Sequence, residues 1–208
     1  MKPVIEEWTV VLAGSWNVAI LNPEWVGREL LNLPEVEMEL VFGAIRPQLK
    51  VSSPLVSIIP QGNQVIFNSR QRSAEAFAGV EAAATALLEK LPITPITAMG
   101  INFGYTEEAV SVNIANLFAI GDTARISDVP LRIKSTTITR QLEYDGRDLN
   151  FRMTHTPERL MLHFNYHLAV TSAEAAKAAL AGKVATYQNH SQQLLKDLYN
   201  LEEMEPAP

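Results

Sequence analysis

The sequence predicts an α+β fold, a mostly antiparallel sheet with helices packed on one face. Three observations predict it. Several segments alternate apolar and polar residues with a period of two, the pattern of half-buried strands. Short turn sequences join these segments as hairpins, the best being Asp145-Gly146. Two long tracts instead carry apolar residues at helical spacing, which places helices against the sheet as a second layer.

In order along the chain, Trp8 to Asn17 reads as a buried strand ending at Gly14-Ser15. Asn22-Pro23-Glu24 is a helix start, with an Asn cap, Pro at the first helical position and an acid in the first turn. This helix stops before Pro34. Glu35 to Phe42 alternates, Val36, Met38, Leu40 and Phe42 facing one way and Glu35, Glu37 and Glu39 the other, a half-buried strand with an acidic outer face. Leu55–Ile59 and Gln64–Asn68 are strands around a turn at Gln61-Gly62-Asn63. Ser73 caps a helix whose Phe77, Val80, Ala84, Leu87 and Leu88 share one face; Pro92 and Pro95 end it, and Ile96–Tyr105 returns as a strand.

The second half repeats the theme. Leu131 to Tyr144 is a long strand whose apolar side changes parity near Ser135–Thr137, the mark of a bulge. A two-residue turn at Asp145-Gly146 pairs Tyr144 with Arg147, Leu142 with Leu149 and Ile138 with Met153. Arg159 to Val170 follows, with Leu160, Leu162, Phe164, Tyr166, Leu168 and Val170 on one face. Ser172 caps a helical tract to about Leu201, broken at Gly182, with Val184, Tyr187, Leu194, Leu195 and Leu198 as its apolar stripe. One domain of two pseudo-halves, 1–105 and 106–203, with a frayed tail at 204–208, accounts for this order. The likeness of the halves is one of pattern, without a residue-level repeat.

Composition bounds function. The 208 residues are 47% apolar and 19% charged, with no cysteine and a net charge of −6. Absent cysteine excludes disulfides, thiolate zinc sites, iron–sulfur clusters and cysteine nucleophiles. The acidic balance argues against an electrostatically driven nucleic-acid binder. No apolar run is long enough for a membrane helix, and the two glutamates of the opening MKPVIEEW argue against export, so a cytoplasmic location is expected.

Candidate chemistry is sparse. His163, Asn165 and His167 project from one strand face, but about 13 Å separates the two imidazole positions at about 3.3 Å per residue, too far to share a metal. A solvated polar face is the simpler reading. Thr137, Thr139, Gln141, Asn150, Arg152 and Thr154 join it from neighbouring strands. Residues 131–160 carry six basic against four acidic side chains, a net of +2; phosphate contacts are conceivable there, yet the aromatic residues fall on the apolar side. LFAIGDTA (residues 117–124) resembles the Gly-Asp segment of flavin-dependent disulfide reductases. Without a dinucleotide loop or a cysteine pair, Gly121-Asp122 reads as a turn with an Asx-type bond. No cofactor and no metal are expected.

VVLAGSWNVAILNPEW (Val10–Trp25) together with TPITAMGINFGY (Thr94–Tyr105) resembles an uncharacterised bacterial family. The resemblance implies a shared fold and brings no activity or catalytic residues. Asn17 and Asn102, at the end or middle of apolar strands, read as amides that tie a strand to a neighbouring loop.

The functional expectation is a non-enzymatic interaction or assembly subunit. Low charge leaves apolar surface to be covered by a protein partner or a second copy, with Tyr199 and Leu201 of the last helix as the expected interface. The alternatives are a small-molecule-binding domain or enzyme with a pocket between sheet and helix, and nucleic-acid binding through residues 131–160.

Overall fold

The computed structural model describes residues 1–42 and 47–203; the expected tail at 204–208 lies outside the described residues. Nine strands form one antiparallel sheet: β1 (Lys2–Gly14), β2 (Glu37–Phe42), β3 (Pro47–Ser52), β4 (Val56–Pro60), β5 (Gln64–Ser69), β6 (Ile96–Glu107), β7 (Thr136–Tyr144), β8 (Arg147–His155) and β9 (Leu160–Ala169). Their spatial order is β2-β3-β4-β5-β1-β6-β9-β8-β7. Helices α2 (Ala74–Lys90), α5 (Ala173–Leu180) and α6 (Lys183–Tyr199) contribute the buried side chains that meet one face of the sheet. The α+β class read from the sequence is the observed one.

Each element has a local cause. Ser73 Oγ accepts the Ala76 N–H at 3.1 Å, and Ser172 Oγ accepts the Ala175 N–H at 3.1 Å, starting α2 and α5 in the same way. Gly182, at φ +68°, ends the first helical tract and lets α6 leave at a new angle. Asn22 caps α1 (Pro23–Trp25), which widens into a π-helical turn over Val26–Leu31 and stops at Asn32 with φ 52°. Asp145 and Gly146 both take positive φ, the requirement of a type I′ hairpin, and the three pairings expected across that turn are the observed ones.

The core lies between sheet and helices. Trp8 packs on Phe77, Phe103 and Tyr105 with ring centroids 5.6–5.7 Å apart, and its indole N–H donates to the Gly104 carbonyl at 3.0 Å. On the other side of the sheet centre, Phe151 stacks on Phe164 at 4.5 Å and Tyr166 on Tyr187 at 4.4 Å.

The strand order reads alike outward from its middle: β1 is followed by β5, β4, β3 and β2, and β6 by β9, β8 and β7. A pseudo-two-fold relation through the Thr9–Asn102 pair therefore exchanges β1 with β6, β5 with β9, β4 with β8 and β3 with β7. Both units run strand, short helices, meander, long helix. Their boundary falls between Lys90 and Ile96, so β6 opens the second unit rather than closing the first, as a division at 105/106 would have it. The relation also reveals short identities that the linear sequence hides. Phe67-Asn68 corresponds to Phe164-Asn165, and Ser73-Ala74-Glu75-Ala76 to Ser172-Ala173-Glu174-Ala175.

Other differences from expectation are local. β3 and the short helices α3 (Val112–Leu117) and α4 (Thr123–Ser127) carry too little periodicity to be read in sequence. The strand expected over Leu131–Tyr144 starts at Thr136 and pairs with β8 without a register shift, so the parity change marks its start and not a bulge. Gly121-Asp122 does form a turn, but no Asp122 side-chain bond caps the helix that follows.

Candidate functional site

The face of the sheet turned away from α2 and α6 is polar through its centre. Cross-strand partners in an antiparallel sheet share a face, so the register arranges these side chains in rows. One row crosses all nine strands: Glu37, Ser52, Ser57, Asn68, Thr9, Asn102, Asn165, Asn150 and Gln141. At its centre the amides donate head to tail. Asn150 Nδ2 donates to Asn165 Oδ1 at 3.2 Å, Asn165 Nδ2 to Asn102 Oδ1 at 2.7 Å, and Asn102 Nδ2 to Thr9 Oγ1 at 2.9 Å. Each bond runs from a neutral amide on one strand to a side-chain oxygen on the next, so this row cross-links four strands. Asn102 thus ties its strand to the strands on either side, not to a loop as expected.

The adjacent row holds Gly104, His163, Arg152 and Thr139. Its fourth functional group arrives from β1. The pairing of β1 with β6 shifts register between Val4 and Thr9, and the bulged backbone offers its Ile5, Glu6 and Trp8 carbonyls to Asn68 Nδ2 at 3.1–3.2 Å. The bulge lays the Glu7 side chain across Gly104, where a Cβ would stand 2.7 Å from Glu7 Cβ. Only glycine leaves that space. Glu7, His163 and Arg152 thereby gather over neighbouring strands.

A cleft of about 460 Å³ opens there, lined by Glu7, Arg152, Arg159 and His163, by Thr106, Thr137 and Thr154, and by apolar Val4 and Met161. Burial raises the Glu7 pKa above the usual carboxylate range, an effect that the Arg152 charge partly offsets. Burial, reinforced by Arg152, lowers the His163 pKa, so its imidazole is neutral at neutral pH and presents one donor and one acceptor.

The four residues expected on a polar surface, His163, Asn165, His167 and Arg152, do share this face. They are not equivalent: Asn165 is engaged in the amide chain and His167 lies one row beyond it, opposite Asp148 and Gly100. Among the described residues no group of three His, Asp or Glu side chains is placed to hold a metal ion. The basic residues of 131–160 do not form one surface. Arg140 pairs with Phe151 on the helix side, and Arg147 is buried, donating to the Ala179 carbonyl and stacking over Tyr187 at 5.0 Å. Glu7 was missed because nothing in a linear reading locates a bulge within MKPVIEEW.

The expected interface is placed differently. Leu201 is 8% exposed, folded into its own core, and Tyr199 is half-buried against Phe151 at 5.8 Å. Leu198, assigned to the core stripe, is instead 66% exposed. The largest exposed apolar group on a strand lies elsewhere, on edge strand β2. Met38, Leu40 and Phe42 are 63%, 61% and 81% exposed, although their alternation predicts a half-buried strand. The reason is register: β2 and β3 pair over six residues, but β3 joins β4 only through Val51 and Ser52. The hairpin projects past the sheet beyond that join.

Compared with known protein families and with curated proteins, the chain matches none. Among the described residues no helix is long and apolar enough to cross a membrane.

Proposed function

We propose that this chain is a non-enzymatic assembly subunit that pairs with a second copy of itself through edge strand β2. The observation that carries this reading is the unguarded apolar edge. Free backbone donors and acceptors on an edge strand recruit another strand unless something blocks them. At the opposite edge, β7 carries Arg140 on its helix-side face, an inward charge that opposes pairing. The same face of β2 carries only Met38, Leu40 and Phe42.

Symmetry selects the register. A two-fold axis at Leu40 sets Leu40 opposite its own copy, Met38 opposite Phe42, and Glu39 opposite Val41. No two carboxylates then face one another across the described residues. Glu39 is already neutralised by Lys50 at 3.0 Å, and Glu37 by Arg70 at 3.1 Å. Six apolar side chains become contiguous along the joined sheets, the centre around which an interface of at least about 1,000 Å² is built. The reading takes the chain as a cytoplasmic one, the compartment that its lack of cysteine favours.

Light scattering at micromolar concentration tests it. The expected mass is twice 23.0 kDa, falling to the single-chain value in Leu40→Lys, which sets two ammonium groups together at the axis. A wild-type monomer overturns the reading; a dimer untouched by Leu40→Lys moves the interface away from β2.

A further inference from the structure

We infer that the cleft over β6, β9 and β8 binds a small zwitterion, an amino acid whose carboxylate is held by Arg152 and Arg159 and whose ammonium faces Glu7. The inference is independent of pairing through β2, which lies at the far edge of the sheet.

The cleft has walls of opposite sign. Arg152 projects from β8 and Arg159 from the turn before β9, and neither guanidinium forms an ion pair among the described residues. Two guanidinium groups lining one cleft repel each other, and a carboxylate between them relieves that repulsion through charge-assisted hydrogen bonds. Glu7 supplies the other wall. It too lacks an ion-pair partner among the described residues, and the chain builds its position deliberately: a bulge in β1, Asn68 holding that bulge, and a glycine at 104 that leaves room.

The two signs are apart, on β1 and on β8, with β6 and β9 between them. Between them sits neutral His163, able to donate or accept without biasing either wall. A plain anion would satisfy the arginines and be repelled by Glu7; a plain cation would meet the reverse. A molecule carrying both charges satisfies both walls, and opposing charge is how such sites discriminate. Val4 and Met161 give the cleft its apolar contacts, suited to an aliphatic or thioether side chain or an aliphatic spacer. The volume of about 460 Å³ lies in the range of small-molecule sites.

Calorimetric titration of the full chain tests this with L-leucine and L-methionine, which carry both charges on one carbon, and with 5-aminopentanoate, which sets them four methylenes apart. Matched controls are N-acetyl-L-leucine, which lacks the ammonium, L-leucinamide, which lacks the carboxylate, and inorganic phosphate. At least one zwitterion is expected to bind at about millimolar concentration or below. Its affinity should fall about tenfold or more in the Arg152→Gln/Arg159→Gln double variant, the usual loss for hydrogen bonds to charged groups. Glu7→Gln should weaken the zwitterion while leaving N-acetyl-L-leucine no weaker than in the wild type. Circular dichroism of each variant separates loss of binding from loss of fold. Absence of heat with all three zwitterions overturns the inference. So does phosphate or N-acetyl-L-leucine binding as tightly as the zwitterions, which would make this an anion site, and so does zwitterion binding unchanged in the double variant.

Discussion

The two halves of the sheet share a plan and differ in what they place on it. Val11, Ile66 and Ile59 form a row in the first half; the pseudo-two-fold relation sets Gly104, His163 and Arg152 at the corresponding points of the second. On the helix side the correspondence is conservative: Phe67 answers Phe164 and Val65 answers Leu162, all buried. The packed side of the sheet is therefore shared, whereas the open side shares its central polar row, where Asn68 answers Asn165, and diverges in the row beside it. A core tolerates few substitutions, because each buried side chain meets many neighbours, whereas an open face is free to acquire charge.

The largest expected effect tests the shared side. Phe67→Ala and Phe164→Ala should each cost about 3–5 kcal/mol in urea unfolding, the range for deleting a fully buried aromatic ring. A loss below about 1 kcal/mol at one site alone would break the equivalence of the two halves.

A smaller effect sharpens the divergent side. Gly104→Ala should destabilise by about 1–3 kcal/mol, since the added methyl meets the Glu7 side chain. Glu7→Gly in the same chain removes that obstacle and should recover most of the loss. Without recovery, the close approach of Glu7 to Gly104 is not what makes glycine necessary there. The corresponding Val11→Ala change in the first half should show no such dependence on Glu7.

The smallest effect concerns pH. All four histidines lie in the second half, and two of them, His163 and His190, have pKa values lowered by burial. His190 stacks on Tyr144 at 3.5 Å, and its Nδ1 lies 2.7 Å from the Tyr166 hydroxyl. A histidine with a lowered folded-state pKa binds its proton more readily when unfolded. Stability should therefore be full above the unfolded imidazole value of about 6.5 and decline as pH falls below it, levelling off once the folded pKa is passed. The urea midpoint should be lower at pH 5.5 than at pH 7.5, and the difference should shrink in His190→Gln. Glu7 and Glu203, raised by burial, act in the opposite sense, because the folded chain holds their protons more tightly. An unchanged or rising midpoint would show that these carboxyls outweigh the histidines.

Much of the second half was legible because its information is local. Asp145-Gly146 fixes one turn, that turn fixes the register of β7 on β8, and strict alternation carries the polar side of β9 into line with them. Arg152, His163 and Asn165 could be placed on one face by counting residues. Glu7 could not, since its position depends on a bulge set by Asn68, some sixty residues away. The exposure of Met38, Leu40 and Phe42 was hidden for another reason. Alternation reports which side of a strand is apolar, but not whether anything lies over that side. Leu201 failed in reverse, a residue off the helical stripe that the chain beyond α6 turns back into the core.

The placement of β1 at the middle of the sheet has a consequence for how the chain comes into being. During synthesis, residues 2–90 emerge as a complete unit, β1 joined to its meander and covered by α2, while the other side of β1 still awaits β6. That side is a bare hydrogen-bonding edge for as long as the second unit is unfinished. A second nascent chain offers the same edge, and the pseudo-two-fold relation makes β1 against β1 a close imitation of β1 against β6. Carrying both units in one chain makes that pairing an event within one molecule, at the high effective concentration a short linker supplies.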